Sequence, residues 1–206
     1  VFVKTLRSAT PPLAAALLTV VTLGYTLHRG WILTQLWLLA LPLSALAFLI
    51  SIALFTLALW RARRDARRWP LAVTAVLAVI GLCGPVFLIL EPEAAAWTRF
   101  QLERPAFAAA ATVEVPEPGA GDYYGVALPR HLCFVSANCK VAVIGTSGGQ
   151  PVRFVPDYVG IPDGAVGYGH FTGTPGAGPY DGFGDPICPT TELAGGWWWL
   201  TPCPEA

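Results

Sequence analysis

Residues 60–69 read Trp-Arg-Ala-Arg-Arg-Asp-Ala-Arg-Arg-Trp, five arginines and one aspartate set between two long stretches that carry no charge. Lys and Arg beside a membrane span are retained on the cytoplasmic side. The segment 61–68 therefore predicts a cytoplasmic loop, and the uncharged stretches on either side become membrane helices of defined direction. Everything after residue 90 is then expected outside the cytoplasm.

Toward the N-terminus, residues 31–60 form an uncharged run of 30, longer than a perpendicular crossing needs, so its first five residues are expected in the interface. Pro42 is expected to kink this helix. Ala40, Ser44, Ala47 and Ser51 follow a small-residue spacing that suits close helix packing. His28, Arg29 and Gly30 predict a tight outer turn. Residues 8–27 form a further uncharged run of 20, preceded by Lys4 and Arg7 and opened by Pro11 and Pro12. An uncleaved helix is the favoured reading over a cleaved signal peptide. Toward the C-terminus, residues 70–90 give a third span. Trp31 and Trp37 are expected at the outer headgroup level, Trp60 and Trp69 at the inner one. No Asp, Glu, Lys, Arg or His falls inside the three spans, which argues against transport by this chain alone.

Hydrophobic residues make up 54% of the chain and charged residues 13%, about half the share usual for soluble domains. Lys plus Arg equals Asp plus Glu, yet residues 91–206 hold 12 acids against 5 bases. Nucleic acid is excluded as a partner on that balance, because phosphate contacts need a basic surface.

The chain divides into three regions: a three-helix transmembrane domain over 1–90, a juxtamembrane segment and Pro/Gly linker over 91–121, and an extracytoplasmic all-β domain over 122–206, folded as a sandwich or partial barrel. Within 91–111, Trp97, Phe100 and Leu102 among charged residues suggest a short amphipathic helix on the outer membrane surface, ended by Pro105. In the β domain, residues 140–145 and 151–155 flank Thr-Ser-Gly-Gly-Gln and predict a hairpin. Pro162, Asp163 and Gly164 predict a turn, and residues 132–135, 166–170 and 197–200 predict further strands.

Cys133, Cys139, Cys188 and Cys203 are an even set in a small domain bound for an oxidising compartment, the setting in which disulfides form. The pairs Cys133–Cys139 and Cys188–Cys203 are preferred because each closes a local loop, with Cys83 left free. Zinc held with His131 and His170 is disfavoured, since the cysteine spacing is no familiar metal knuckle. Asp181 and Asp185 stand in Tyr-Asp-Gly-Phe-Gly-Asp-Pro, residues 180–186, with Asp157 and Asp163 in neighbouring turns. Turn chemistry explains them better than calcium. Gly-Thr-Ser-Gly-Gly, residues 145–149, matches a nucleophile elbow around Ser147, with Asp157 or Asp163 and then His170 in hydrolase order. Residues 151–155 are strand-like where that elbow needs a helix, so a glycine turn is preferred. Trp197 and Trp199 fall on one face of a strand and are expected in the core. Trp198, on the other face, is left for a membrane or ligand contact.

Gly-Ile-Pro-Asp-Gly-Ala-Val-Gly-Tyr with the later Tyr-Asp-Gly-Phe-Gly-Asp-Pro and Gly-Gly-Trp-Trp-Trp-Leu resembles the C-terminal part of uncharacterised actinobacterial membrane proteins. The resemblance covers about the last 50 residues and implies a plasma membrane location, without an activity or a site. The expected function is a membrane-anchored extracytoplasmic binding or assembly module, an accessory subunit of a membrane complex. Its expected partners are the lipid bilayer and another membrane or cell-surface protein, with no cofactor. An extracytoplasmic enzyme and an accessory component of a transporter are the alternatives.

Overall fold

The computed structural model describes residues 2–64, 68–115, 122–160 and 163–204. The middle of the arginine segment, the later part of the linker and Pro162 lie outside the described residues. Two compact units emerge, one of Val1–Leu27 and Leu38–Pro92, the other of His28–Trp37 and Glu93–Ala206.

The first unit packs helices α1 (Phe2–Leu27), α3 (Ala40–Arg64) and α4 (Arg68–Leu90) against one another. Small residues set the approach. A Cβ at Gly81 of α4 would lie 2.5 Å from the Phe55 ring and 2.9 Å from the Thr19 hydroxyl, so glycine is needed there. Thr19 and Thr22 of α1 donate to the carbonyls of Leu77 and Gly81, at 2.8 and 3.0 Å, which ties the two backbones side to side. Ser51, Phe55, Ala58 and Ala62 form the buried stripe of α3, at helical spacing. Ala40 and Ser51 of the predicted small-residue face are buried, whereas Ala47 is exposed.

Arg29–Arg64 and Trp69–Leu90 are two helical stretches long and apolar enough to cross a membrane, and the apolar part of α1, Pro11–Leu27, is shorter. The run 31–60 is not one continuous helix. Trp37 takes a φ of 46°, a left-handed value that ends helix α2 (Arg29–Leu36), and a 3-10 turn (Trp37–Leu39) leads into α3. Pro42 therefore sits in the first turn of α3, where a missing donor costs little. Nor do His28 to Gly30 form a tight turn, since α2 begins at Arg29 with His28 as its cap.

The second unit is built on one antiparallel sheet of seven strands in the order β1-β2-β3-β4-β7-β6-β5. The strands are β1 (Val126–Ala127), β2 (Lys140–Ser147), β3 (Gln150–Val159), β4 (Ala165–His170), β5 (Tyr180–Gly182), β6 (Asp185–Ala194) and β7 (Trp197–Pro202). Gly148 and Gly149, both with positive φ, make the two-residue turn of the β2–β3 hairpin. The sheet curls until β5 approaches β2, and Tyr180 joins Ala142, Ile144, Phe154 and Ile187 in the cluster enclosed on that side. Residues 132–135, expected as a strand, belong to a 3-10 helix (Arg130–Val135).

The opposite face of the sheet is covered by helix α5 (Pro92–Ala111), which corrects the reading of residues 91–111 as a surface helix. Pro92 opens it, Glu93 suits its positive end, and the alanine content sustains it through Pro105. Ala96, Arg99, Phe100, Phe107 and Ala110 form its buried face. Phe107 meets Tyr168 at 4.5 Å and Trp197 at 5.2 Å between ring centroids, inside a core that includes Trp199 and Val155. Leu102, assigned by sequence to a membrane-facing stripe with Phe100, is exposed while Phe100 is fully buried.

Candidate functional site

Strand alternation places the three tryptophans of β7 on two faces. Trp197 and Trp199 enter the core under α5, with 3% and 4% of their surface exposed. Trp198 faces the other way, half-buried at the edge of the enclosed cluster. Its neighbours across the ladder are Gly169 on β4 and Glu192 on β6. The space over Gly169 is filled by the Leu200 and Phe171 side chains on one flank, and Glu192 is exposed on the other.

Trp198 lines an open groove of about 670 Å³. One wall is the segment after β4, with Phe171, Thr172 and Thr174. The other is the β6–β7 turn at Gly195 and Gly196, with Glu192 alongside and His170 at the end. Gly195 and Gly196 both have positive φ, and a Cβ at Gly196 would collide with the Phe171 carbonyl. The turn that closes the groove thus requires glycine at that position. The Thr172 and Thr174 side chains are exposed. Burial first, and then Arg153, holds the His170 imidazole below its ordinary value of 6.5, which leaves it neutral at pH 7. Glu192 is the carboxylate among the lining residues.

A second constellation lies where α2 and α5 meet β3, and the sequence did not disclose it. Arg99, 1% exposed, donates Nε to Glu103 at 3.2 Å, one Nη to Asp157 and the other to the Phe134 carbonyl at 2.7 Å. His28 Nε2 lies 3.1 Å from the other oxygen of Glu103. A Cβ at Gly30 would collide with Asp157, so α2 runs directly over that carboxylate. Thr34 accepts the Val159 N–H and Gln35 donates to the Ala137 carbonyl, fixing the rest of α2 to the sheet. Burial acts against the Arg99 charge, but Asp157, Tyr168 and Glu103 outweigh it and keep the guanidinium ionised. Burial pushes the Asp157 carboxyl up while Arg99 opposes the shift. These bonds tie α5 to β3 and to the 3-10 helix, and Glu103 joins α5 to His28. The Arg99/Glu103 spacing was visible in the sequence, but Asp157, 58 residues away, was not and is misread there as a turn residue. It lies on β3 at a register shift between Pro156 and Tyr158.

The remaining sequence candidates are explained locally. Cys133 pairs with Cys139 and Cys188 with Cys203, and Cys83 is free and exposed. Asp181 accepts the Tyr123 hydroxyl at 3.0 Å and the Gly184 N–H at 2.8 Å, and Asp185 begins β6 against Gly164. Desolvation and then Asp181 push the Tyr123 phenol up to about 12. Among the described residues, no group of three or more His, Cys, Asp or Glu is placed to hold a metal. Ser147 ends β2 and leads into a hairpin, with its hydroxyl accepting the Gly176 N–H at 3.1 Å. His131 is exposed on the 3-10 helix.

The bundle has a hollow of its own, about 330 Å³, between α1, α3 and α4. Its hydroxyls are engaged: Thr22, Thr26, Ser44 and Ser51 donate to helix carbonyls, and Tyr25 pairs with Ser44. The hollow therefore offers a polar ligand little. No known protein family, curated protein or solved structure matches the chain.

Proposed function

We propose that the protein is a membrane-anchored binding or assembly module that holds its acidic β domain outside the plasma membrane as an accessory part of a membrane complex. The observation that carries this reading is the open groove over Trp198, on a β domain that holds two disulfides. Disulfides persist in oxidising compartments, which supports an extracytoplasmic position for the sheet. In this reading α1, α3 and α4 are three spans, with the N-terminus and the arginine segment inside. The 26-residue α1 is counted with the other two because it packs along α4 through hydroxyl-to-carbonyl bonds.

The test is a photo-crosslinking residue placed at Thr174, on the groove wall, and at exposed Arg130 as a control. In intact cells, adducts specific to Thr174 that vanish with Trp198→Ala are expected. Identical adducts from both positions, or none from Thr174, would remove the groove as the binding element.

A further inference from the structure

The groove has one flat aromatic surface, one carboxylate and several hydroxyl and backbone groups along its walls. Trp198 lines the groove with a half-buried indole. Glu192 stands directly across the ladder from Trp198, so a ring lying on the indole has its edge toward that carboxylate. Thr172 and Thr174 add exposed hydroxyls to the lining. The shape therefore suits a ligand that is flat and apolar on its faces and hydrogen-bonding around its rim.

We propose that this groove binds a neutral oligosaccharide segment of a glycan outside the membrane. One pyranose face stacks on Trp198, and ring hydroxyls donate to Glu192 and meet Thr172 and Thr174. The inference rests on the reading of the β domain as an extracytoplasmic binding module and names the ligand class. Charge decides against the other flat ligands. A nucleotide would bring phosphate beside Glu192 in a region of 12 acids and 5 bases, with His170 neutral at pH 7. An alkylammonium is held by several exposed aromatic walls, whereas Phe171 is 2% exposed and only Trp198 of the two offers ring surface. A volume of about 670 Å³ lies in the range of small-ligand sites, roughly 300 to 1,000 Å³, and fits sugar rings better than a folded partner.

The experiment uses the full chain in a polyoxyethylene detergent, which has no sugar headgroup. The probes are the linear trimers of glucose, mannose and N-acetylglucosamine, with choline and adenosine monophosphate as contrasts. Binding is followed by calorimetry, and by saturation transfer from aromatic protons to ligand protons. At least one trimer is expected to bind, with transfer strongest at protons on one ring face. Trp198→Ala should weaken it about tenfold, the scale of one lost aromatic contact. Trp198→Phe should retain most of the affinity, and Glu192→Gln should weaken it several-fold without disturbing the fold. If Trp198→Ala unfolds, the Trp198→Phe and Glu192→Gln pair decides. No binding of any trimer, or equal binding by folded Trp198→Ala, overturns the proposal. Binding of choline in place of the sugars also overturns it. Groove-dependent crosslinking in cells would then still stand, so the two readings fail separately.

Discussion

Trp197 and Trp199 fill a core shared by β4, β7 and α5, whereas Trp198 is half-buried on the other face. Changing either core tryptophan to Ala should cost about 3 to 5 kcal/mol, and changing Trp198 distinctly less. Thermal unfolding of the three single variants measures this, and equal losses would contradict the two-faced strand. His170 gives a pH signature on the same face as Trp197, whose ring lies 5.0 Å away. In the unfolded chain its imidazole takes a proton near pH 6.5, while the folded one resists. The unfolded state therefore binds more protons, and stability present above pH 6.5 should fall as pH drops below it. Unfolding midpoints between pH 7 and 5 should show the decline, reduced in His170→Gln. Arg99 is different in kind, because its removal takes a buried guanidinium from Asp157, Glu103 and the Phe134 carbonyl at once. Arg99→Met should cost about 3 to 5 kcal/mol by denaturant unfolding, and the double change with Asp157→Leu should recover much of it. Alternation made the tryptophan faces legible from sequence. A buried guanidinium is not legible that way, because its burial depends on chain segments far apart.

At the scale of elements, helix α5 is the structural partner of the sheet rather than a tether. A chain that begins at residue 122 lacks Ala96, Phe100, Phe107 and Ala110, and with them the cover of one sheet face. It is expected to lose cooperative unfolding in circular dichroism, in contrast to the full chain. The sequence hid this role because Pro105 reads as a helix end, and because exposed Trp97 and Leu102 dilute the apolar stripe. Strand β6 was hidden by Pro186 and Pro189, which argue against an inner strand, and it tolerates the first near its start and the second beside a register shift. The β2–β3 hairpin was legible because two glycines in series dictate their own turn. The Cys188–Cys203 bridge joins β6 to the end of β7 across a separation of 15 residues. Replacing both with Ser should lower stability by roughly 3 kcal/mol on the chain-entropy estimate, read from denaturant midpoints under non-reducing conditions.

At the scale of the whole molecule, the account joins an apolar helical bundle to an acidic, disulfide-bearing sheet through an orientation set by charge. In the proposed topology the five arginines between residues 60 and 69 hold one end of α3 and the start of α4 inside, which puts the sheet that follows outside. Composition made the apolar helical stretches legible before any contact was known, while the break at Trp37 was not, because nothing in an apolar run marks a left-handed residue. The direct measurement is cysteine labelling in intact cells after Cys83→Ala removes the free thiol. Arg63→Cys and Ala177→Cys are introduced singly at exposed positions and treated with a membrane-impermeant thiol reagent. The account predicts labelling of Ala177→Cys, and of Arg63→Cys only after the cells are opened. Labelling of Arg63→Cys in intact cells with Ala177→Cys protected would contradict it.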